Sequence, residues 1–502
     1  MSKRNGPRYA LLGLFLIALL AALAFTVKRA PDAAEPTAQS AQAAQAAQTD
    51  DSKLQSLAEL DGKEPERRKL DIQSWQTAEG AKVLFVEARE LPMFDLRLTY
   101  AAGSSQDGDV QGLALLTNAM LNEGVPDKDV GAIAAGFESL GAEFGNGAYR
   151  DMAVTSLRSL SATEQREPAL KLFEQVIGQP TFPADSLARI KNQILAGFEY
   201  QKQNPGKLAS LELFERLYGK HPYGHPSEGN AQSVPGISRE QLQAFHAKAY
   251  AAGNAVIAVV GDLSREEAET MAAEVSAALP KGPALTKTVT PEAPKPGLTH
   301  IDFPSNQTHL LIAQLGITRE DPDYPALYLG NQVFGGGGFG TRLMTEVREK
   351  RGLTYGVYSG FTAMQARGPL MINLQTRAEL SDGTLQLVKD LLREFIAGGP
   401  TQEELDAAKR EMAGSFPLST ASNAAIVGQL GAIGFYDLPL TYLEDFMAQV
   451  QALSVEQVKA AMAKHLDPES LVIVTAGPKV EQKELPPPTD KPAEMPAAVP
   501  EH

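Results

Sequence analysis

Four consecutive glycines, Gly335, Gly336, Gly337 and Gly338, stand shortly ahead of Thr341 and Arg342. Glycine runs cradle phosphates when the right partners follow. A P-loop needs Lys-Ser or Lys-Thr after its last glycine, so that an ammonium and a hydroxyl reach phosphate and magnesium. Here Gly340 is followed by Thr341-Arg342. A dinucleotide fingerprint needs a strand before the glycines and an acidic residue about 20 positions on, whereas residues 324–334 read as helix. The pattern argues against nucleotide binding. What remains is the missing Cβ, which lets backbone pass close to another backbone at a helix junction or a binding groove.

The surrounding residues define the elements that position this loop. An apolar run ends at Phe334, a charged amphipathic segment covers 341–351, Gly352 makes a turn, and Leu353, Tyr355 and Val357 alternate as in a strand. Thr341-Arg342-Leu343 follows the glycines, and six residues separate Arg348 from Tyr355. Together these features resemble the second-half signature of the insulinase-like (pitrilysin-type) zinc metallopeptidases. In that family the matching Arg and Tyr face a zinc site across a chamber, hold the substrate backbone and help to stabilise the tetrahedral intermediate. The resemblance implies those roles for Arg348 and Tyr355, with Gly335 to Gly338 beside the substrate. A guanidinium and a phenol suit the task as donors to a developing oxyanion. The competing reading pairs Arg348 with Glu346 or Glu349 on a solvated helix face and half-buries Tyr355 in the strand.

The same resemblance implies a zinc site in the first half. Peptide hydrolysis at zinc uses three protein ligands, an open position for water and a nearby carboxylate to take its proton. The family supplies two histidines and that carboxylate from H-x-x-E-H on one helix, shortly after an Ala-Gly-Ser turn. This chain has Ala102-Gly103-Ser104 and then a matching frame from Gly112 to Leu121. The three chemical positions, however, are Leu115, Asn118 and Ala119. The stretch matching the third ligand, residues 193–198, has no carboxylate, and Glu199 lies just beyond it. No zinc is expected in this chain. His221 and His225 flank Pro222 and Gly224, so they do not share a helical face and read as part of a turn.

Composition narrows the field further. The chain has 502 residues, 43% of them hydrophobic, and a net charge of −15. That length suffices for two or more domains, and that charge argues against nucleic acid, whose phosphates need basic patches. There is no cysteine, which excludes disulfides, thiolate catalysis and cysteine-ligated zinc.

Residues 1–29 hold an apolar run, 9–27, behind Lys3, Arg4 and Arg8. Its length approaches that of a bilayer core, and it reads either as a retained anchor or as a signal peptide cut after Ala22-Leu23-Ala24. The expected location is the inner membrane with the bulk in the periplasm, or the periplasm if the segment is cleaved. Residues 30–68 are an Ala/Gln-rich and charged linker, 283–296 a Pro-rich linker, and 481–502 a Pro-rich tail expected to be disordered. The stretches 69–282 and 297–480 repeat one another. Ser238, Glu240, Gln241, Ala244, Ala247 and Lys248 recur 216 positions later as Ser454, Glu456, Gln457, Ala460, Ala463 and Lys464. Leu187, Lys191 and Phe198 recur 218 positions later as Leu405, Lys409 and Phe416. Two copies at a long period mean two homologous domains, each α+β with a mixed sheet packed by helices.

The expectation is a zinc-less subunit, inactive alone, that pairs with a zinc-bearing insulinase-like homologue and completes its chamber for peptide or unfolded-protein substrates. The rival is a stand-alone peptide-binding or scaffold protein at the membrane without peptidase activity.

Overall fold

The computed structural model describes residues 69–489. Its first half contains strands β1 (Gln73–Gln76), β2 (Lys82–Glu87), β3 (Met93–Tyr100), β4 (Gly124–Val125), β5 (Lys128–Asp129), β6 (Glu143–Ala148), β7 (Ala153–Leu160) and β8 (Ala255–Gly261). Apart from the β4–β5 hairpin they form one sheet in the order β1-β2-β8-β3-β7-β6. Strand β8 is buried at every position, the pattern of a strand covered on both faces. The helices of this half are α1 (Leu113–Ala119), α2 (Val130–Ser139), α3 (Thr163–Gly178), α4 (Ala184–Gln201), α5 (Pro205–Tyr218), α6 (Arg239–Ala249) and α7 (Arg265–Ala278).

The second half has β9 (Gly297–Asp302), β10 (Gln307–Leu315), β11 (Val357–Phe361), β12 (Pro369–Arg377) and β13 (Val472–Gly477), ordered β11-β12-β10-β13-β9. Its helices are α8 (Tyr324–Asn331), α9 (Ser381–Gly398), α10 (Gln402–Ser415), α11 (Asn423–Phe435), α12 (Tyr442–Ala452) and α13 (Val455–His465). The chain from Glu481 to Thr489 runs along this half, where the amides of Lys483 and Asp382 donate to the Glu379 carbonyl and the Gln482 side chain at 2.7 and 3.0 Å.

The chain is α+β and duplicated, and the repeated residues show why. Strand β2 is parallel to β8 as β9 is to β13, and the remaining shared pairs are antiparallel in both sheets. Ser238 with Gln241 and Ser454 with Gln457 form capping boxes at the starts of α6 and α13, satisfying the first backbone N–H groups of each helix. Just ahead of those caps, the Lys191 ammonium donates to the carbonyls of Pro235 and Ile237. The Lys409 ammonium donates to those of Gln451 and Leu453 at 2.8 and 2.6 Å. The repeat thus preserves polar groups that terminate helices, not only apolar spacing.

Each half also covers the other's sheet. Leu213 and Leu217 of α5 pack with Leu311, Ala313, Val472 and Val474. Ile426, Leu430 and Ile433 of α11 pack with Leu84, Val256, Ala258 and Val260. Helix α11 lies so close that a Cβ on Gly434 would stand 2.3 Å from a Val256 methyl, so only glycine fits there.

The membrane placement expected from the sequence is corrected. Among the described residues no helix is long and apolar enough to cross a membrane. The 18-residue helices α4 and α9 are amphipathic, with Asp185, Arg189 and Lys191 on the first and Lys389, Asp390 and Arg393 on the second. The apolar run at 9–27 lies outside the described residues.

Candidate functional site

Helix α1 carries the positions where the resemblance places zinc ligands. Its N-terminus is held by Asp107, whose carboxylate accepts from the amides of Gly112 and Ala114 at 2.8 and 2.7 Å. Burial pushes this carboxyl up to about 7, against the opposing pull of the two amides. His225 Nδ1 lies 3.9 Å away, and burial pushes that imidazole down, toward its neutral form.

Asn118 is buried, and its Nδ2 donates to the Val154 carbonyl at 3.3 Å and the Tyr250 hydroxyl at 3.1 Å. Its amide group therefore serves the core. Leu115 and Ala119 are half-buried alkyl groups on the same helix. Leu115 lines a cavity of about 440 Å³ with Tyr149, Arg150, Lys207, Phe214 and Met364. Gln193 is exposed, and exposed Glu199 pairs with Lys202 at 2.7 Å. Two alkyl groups and a committed amide do not fit zinc, which needs imidazole, thiolate or carboxylate donors in tetrahedral array.

The His221 ring is also committed. Its Nε2 lies 2.7 Å from the Val289 carbonyl, and its Nδ1 accepts from the Tyr223 amide at 3.1 Å. These bonds fix the turn before Tyr223, whose hydroxyl donates to Asp151 and accepts from the Ala366 amide. The histidine thus belongs to a seam joining the halves.

In the second half, α8 runs into a π-helical turn, Gln332–Gly336. A Cβ on Gly335 would stand 2.6 Å from the side chains of Leu343 and Ser359, so this glycine permits close packing. Gly338 and Gly340 have φ of +85° and +91° in open space, the left-handed turn that glycine adopts at no steric cost. Beyond them Arg342 forms a bidentate pair with Glu404, both contacts 2.7 Å, which ties the loop to α10.

Arg348 stands on the next helical turn, Met344–Glu349. Glu346 bonds Lys350 and Arg351 at 2.6 and 2.8 Å. Among the described residues no carboxylate lies within 4.0 Å of the Arg348 guanidinium. Instead it stacks between two rings, 4.7 Å from the centroid of Phe339 and 5.5 Å from that of Tyr355. Both rings are largely exposed, 74% and 77%.

Tyr355 is not in the strand, which begins at Val357. Thr354 Oγ1 donates to the Gly356 carbonyl and accepts from its amide, a side-chain turn that diverts the backbone before the ladder starts. Sequence reasoning brought Arg348 and Tyr355 together and missed Phe339. Its signal was a large ring between two glycines, where no core contact is available.

Two α+β halves with a degenerate metal helix in one and a glycine loop with an Arg–Tyr stack in the other define a duplicated peptidase fold whose helix α1 lacks the zinc-ligand positions. The family described as "Peptidase M16 inactive domain" matches residues 236–412. A crystal structure titled as the peptidase M16 inactive domain from Pseudomonas fluorescens is 74% identical, with TM-score 0.82, covering 83% of this chain and all of that one. The "Non-peptidase homolog YmxG" of Helicobacter pylori is 27% identical over 412 residues, 80% of this chain and 93% of the relative. "Uncharacterized zinc protease Rv2782c" of Mycobacterium tuberculosis is 26% identical over 397 residues, 76% and 88% respectively. The chain belongs to the M16 peptidase family, the insulinase-like family that its glycine loop and Arg348–Tyr355 spacing resemble, and it lacks zinc ligands at Leu115, Asn118 and Ala119.

Proposed function

We propose that this chain is a non-catalytic M16-type subunit that pairs with a zinc-bearing homologue and completes that partner's peptide-cleaving chamber. The observation that carries the reading is Arg348, stacked between exposed Phe339 and Tyr355 with no carboxylate partner among the described residues. Two hydrogen-bond donors, a guanidinium and a phenol, are thereby offered at one exposed surface. A guanidinium that merely decorated a helix would be expected to pair with Glu346, which bonds Lys350 and Arg351 instead. In the paired assembly the two donors hold the substrate's backbone carbonyl and stabilise negative charge on it as it develops. Zinc belongs to the partner alone. Of the four glycines only Gly338 faces open space and leaves room for substrate backbone beside the pair, whereas Gly335 is packed against Leu343 and Ser359.

The test is size-exclusion chromatography of this chain mixed with a homologue that carries an intact H-x-x-E-H motif. A two-chain species with higher peptidase activity than the homologue alone supports the reading. Separate elution of both proteins, with peptide binding to this chain alone, supports the rival instead. That rival is a stand-alone peptide-binding protein using the cavity beside Leu115.

A further inference from the structure

The second half has a cavity at the place equivalent to Leu115. Hydrogen bonds fix the equivalence. In the first half Asn146 Nδ2 donates to the Asn118 carbonyl at 2.7 Å. In the second, Asn331 and Ser359 bond each other at 2.7 and 3.1 Å. Asn331 and Ser359 each stand 213 positions after their counterparts. On that register Leu115 and Ala119 correspond to Tyr328 and Gln332, and on the 218-residue register of α10, Gln193 corresponds to Glu411. Tyr328, Gln332 and Glu411 all line one cavity of about 410 Å³.

Among the described residues Arg319 is the only cation lining it. Its guanidinium carbon lies 4.1 Å from the centroid of Tyr324 and 5.1 Å from that of Tyr442. Its backbone is pinned by the amide's bond to the Met364 carbonyl at 2.9 Å. The acids nearest in sequence are engaged elsewhere. Glu320 pairs with Lys287 at 2.7 Å, Asp321 accepts from the Asp323 amide at 2.9 Å, and Asp323 pairs with Lys464 and His465 at 2.6 and 2.8 Å. Among the described residues no carboxylate lies within 4.0 Å of Arg319. The cavity thus presents one guanidinium, the amides of Gln332 and Gln429, the Glu411 carboxylate and aromatic walls that include Tyr328 and Phe446.

We propose that this cavity binds the C-terminal residue of a peptide, with its carboxylate on Arg319 and an apolar side chain against the aromatic walls. Arg recognises carboxylates through paired N–H donors, and ring stacking holds its fork in place. The volume suits one or two residues. A mid-chain acidic residue would use the guanidinium but leave the aromatic walls unfilled. Glu411, exposed on α10, repels a second negative charge and so selects a ligand with one. This site shares Gly336 and Gly337 with the glycine loop but uses neither Arg348 nor Tyr355, and it needs no partner subunit.

The experiment uses the full chain alone and a labelled pentapeptide, Ala-Ala-Gly-Ala-Phe, as the free acid and as the C-terminal amide. Fluorescence anisotropy should show the acid binding about tenfold or more tightly than the amide, the scale of one charge-assisted hydrogen bond. Arg319→Met should abolish that preference, and Glu411→Gln should tighten the acid but not the amide. Because Arg319 also packs on tyrosines, Gln332→Glu is the second variant. A new carboxylate in the same cavity should erase the preference without removing the stack. Equal affinity for acid and amide, no saturable binding of the acid, or an unchanged preference in Arg319→Met or Gln332→Glu would overturn the proposal.

Discussion

The Asn118 side chain donates to the Tyr250 hydroxyl across 3.1 Å inside the first core. At the position where the family carries a catalytic carboxylate, this chain has an amide that holds a buried phenol and the Val154 carbonyl. Asn118→Ala should therefore destabilise the protein by about 1–3 kcal/mol, because two buried polar groups lose a partner. Chemical denaturation measures it, and a neutral result would mean the amide is idle. Metal analysis of the purified chain should find no stoichiometric zinc. One zinc per chain, lost on His221→Ala or His225→Ala, would reverse the reading of both histidines.

The exchange of helices between the halves predicts joint unfolding. Leu430 of α11 is fully buried on the first half's sheet, so Leu430→Ala should cost about 2–5 kcal/mol, as buried leucine truncations do. A fragment ending at residue 282 should not fold stably, because Leu84, Val256 and Val260 would face water. A cooperative melt of that fragment near the full chain's midpoint would contradict the arrangement.

Much of this architecture was legible in the sequence, and the reasons are specific. The duplication showed because Ser238 and Ser454, and Lys191 and Lys409, do the same capping work in both halves, which keeps their spacing. The loss of zinc ligands showed because a frame of small and apolar residues surrounds Leu115, Asn118 and Ala119. The destination of α11 was not legible, since an apolar helix pattern does not say which sheet it covers. Tyr355 was misplaced into a strand because the alternation of Leu353, Tyr355 and Val357 outweighed a local turn made by Thr354. Arg319 drew no attention because its significance lies in Tyr442, more than a hundred positions away.

Asp107 predicts a pH effect with a definite sign. Its carboxyl is raised to about 7 in the folded chain from an ordinary 3.8, so between those values the folded state holds the proton more tightly. Stability from this group then falls as pH rises through the window from about 4 to 7 and is flat above it. His225 works oppositely. Its lowered folded value means that stability is lost as pH falls below about 6.5, the ordinary imidazole value. Comparison with Asp107→Asn isolates the carboxyl. The stability of wild type minus that of the variant should decline across pH 4 to 7 by no more than about 4 kcal/mol, the value of a three-unit shift. Parallel pH profiles would show that Asp107 titrates normally.

Arg348 and Tyr355 should govern a partner's turnover while leaving the fold almost untouched. Arg348 has no ion pair to lose among the described residues, and its stack on exposed Phe339 and Tyr355 is worth about 0.5–1 kcal/mol. Arg348→Ala should therefore change stability by less than about 1 kcal/mol. Tyr355→Phe keeps the ring under the guanidinium and removes only the hydroxyl. If the two groups stabilise charge on a carbonyl oxygen, either change should lower kcat of the two-chain complex about 10²–10³-fold, the size seen for oxyanion donors. If they only hold substrate, KM should rise with kcat unchanged. Phe339→Ala gives a third measurement. It leaves both donors in place but frees the guanidinium on one side, so an intermediate loss is expected from poorer orientation. Each variant must first co-elute with the partner, so that failed assembly is not read as failed chemistry. Wild-type kcat and KM in Arg348→Ala and Tyr355→Phe, with the complex intact, would make the stack a surface feature and remove it from the site.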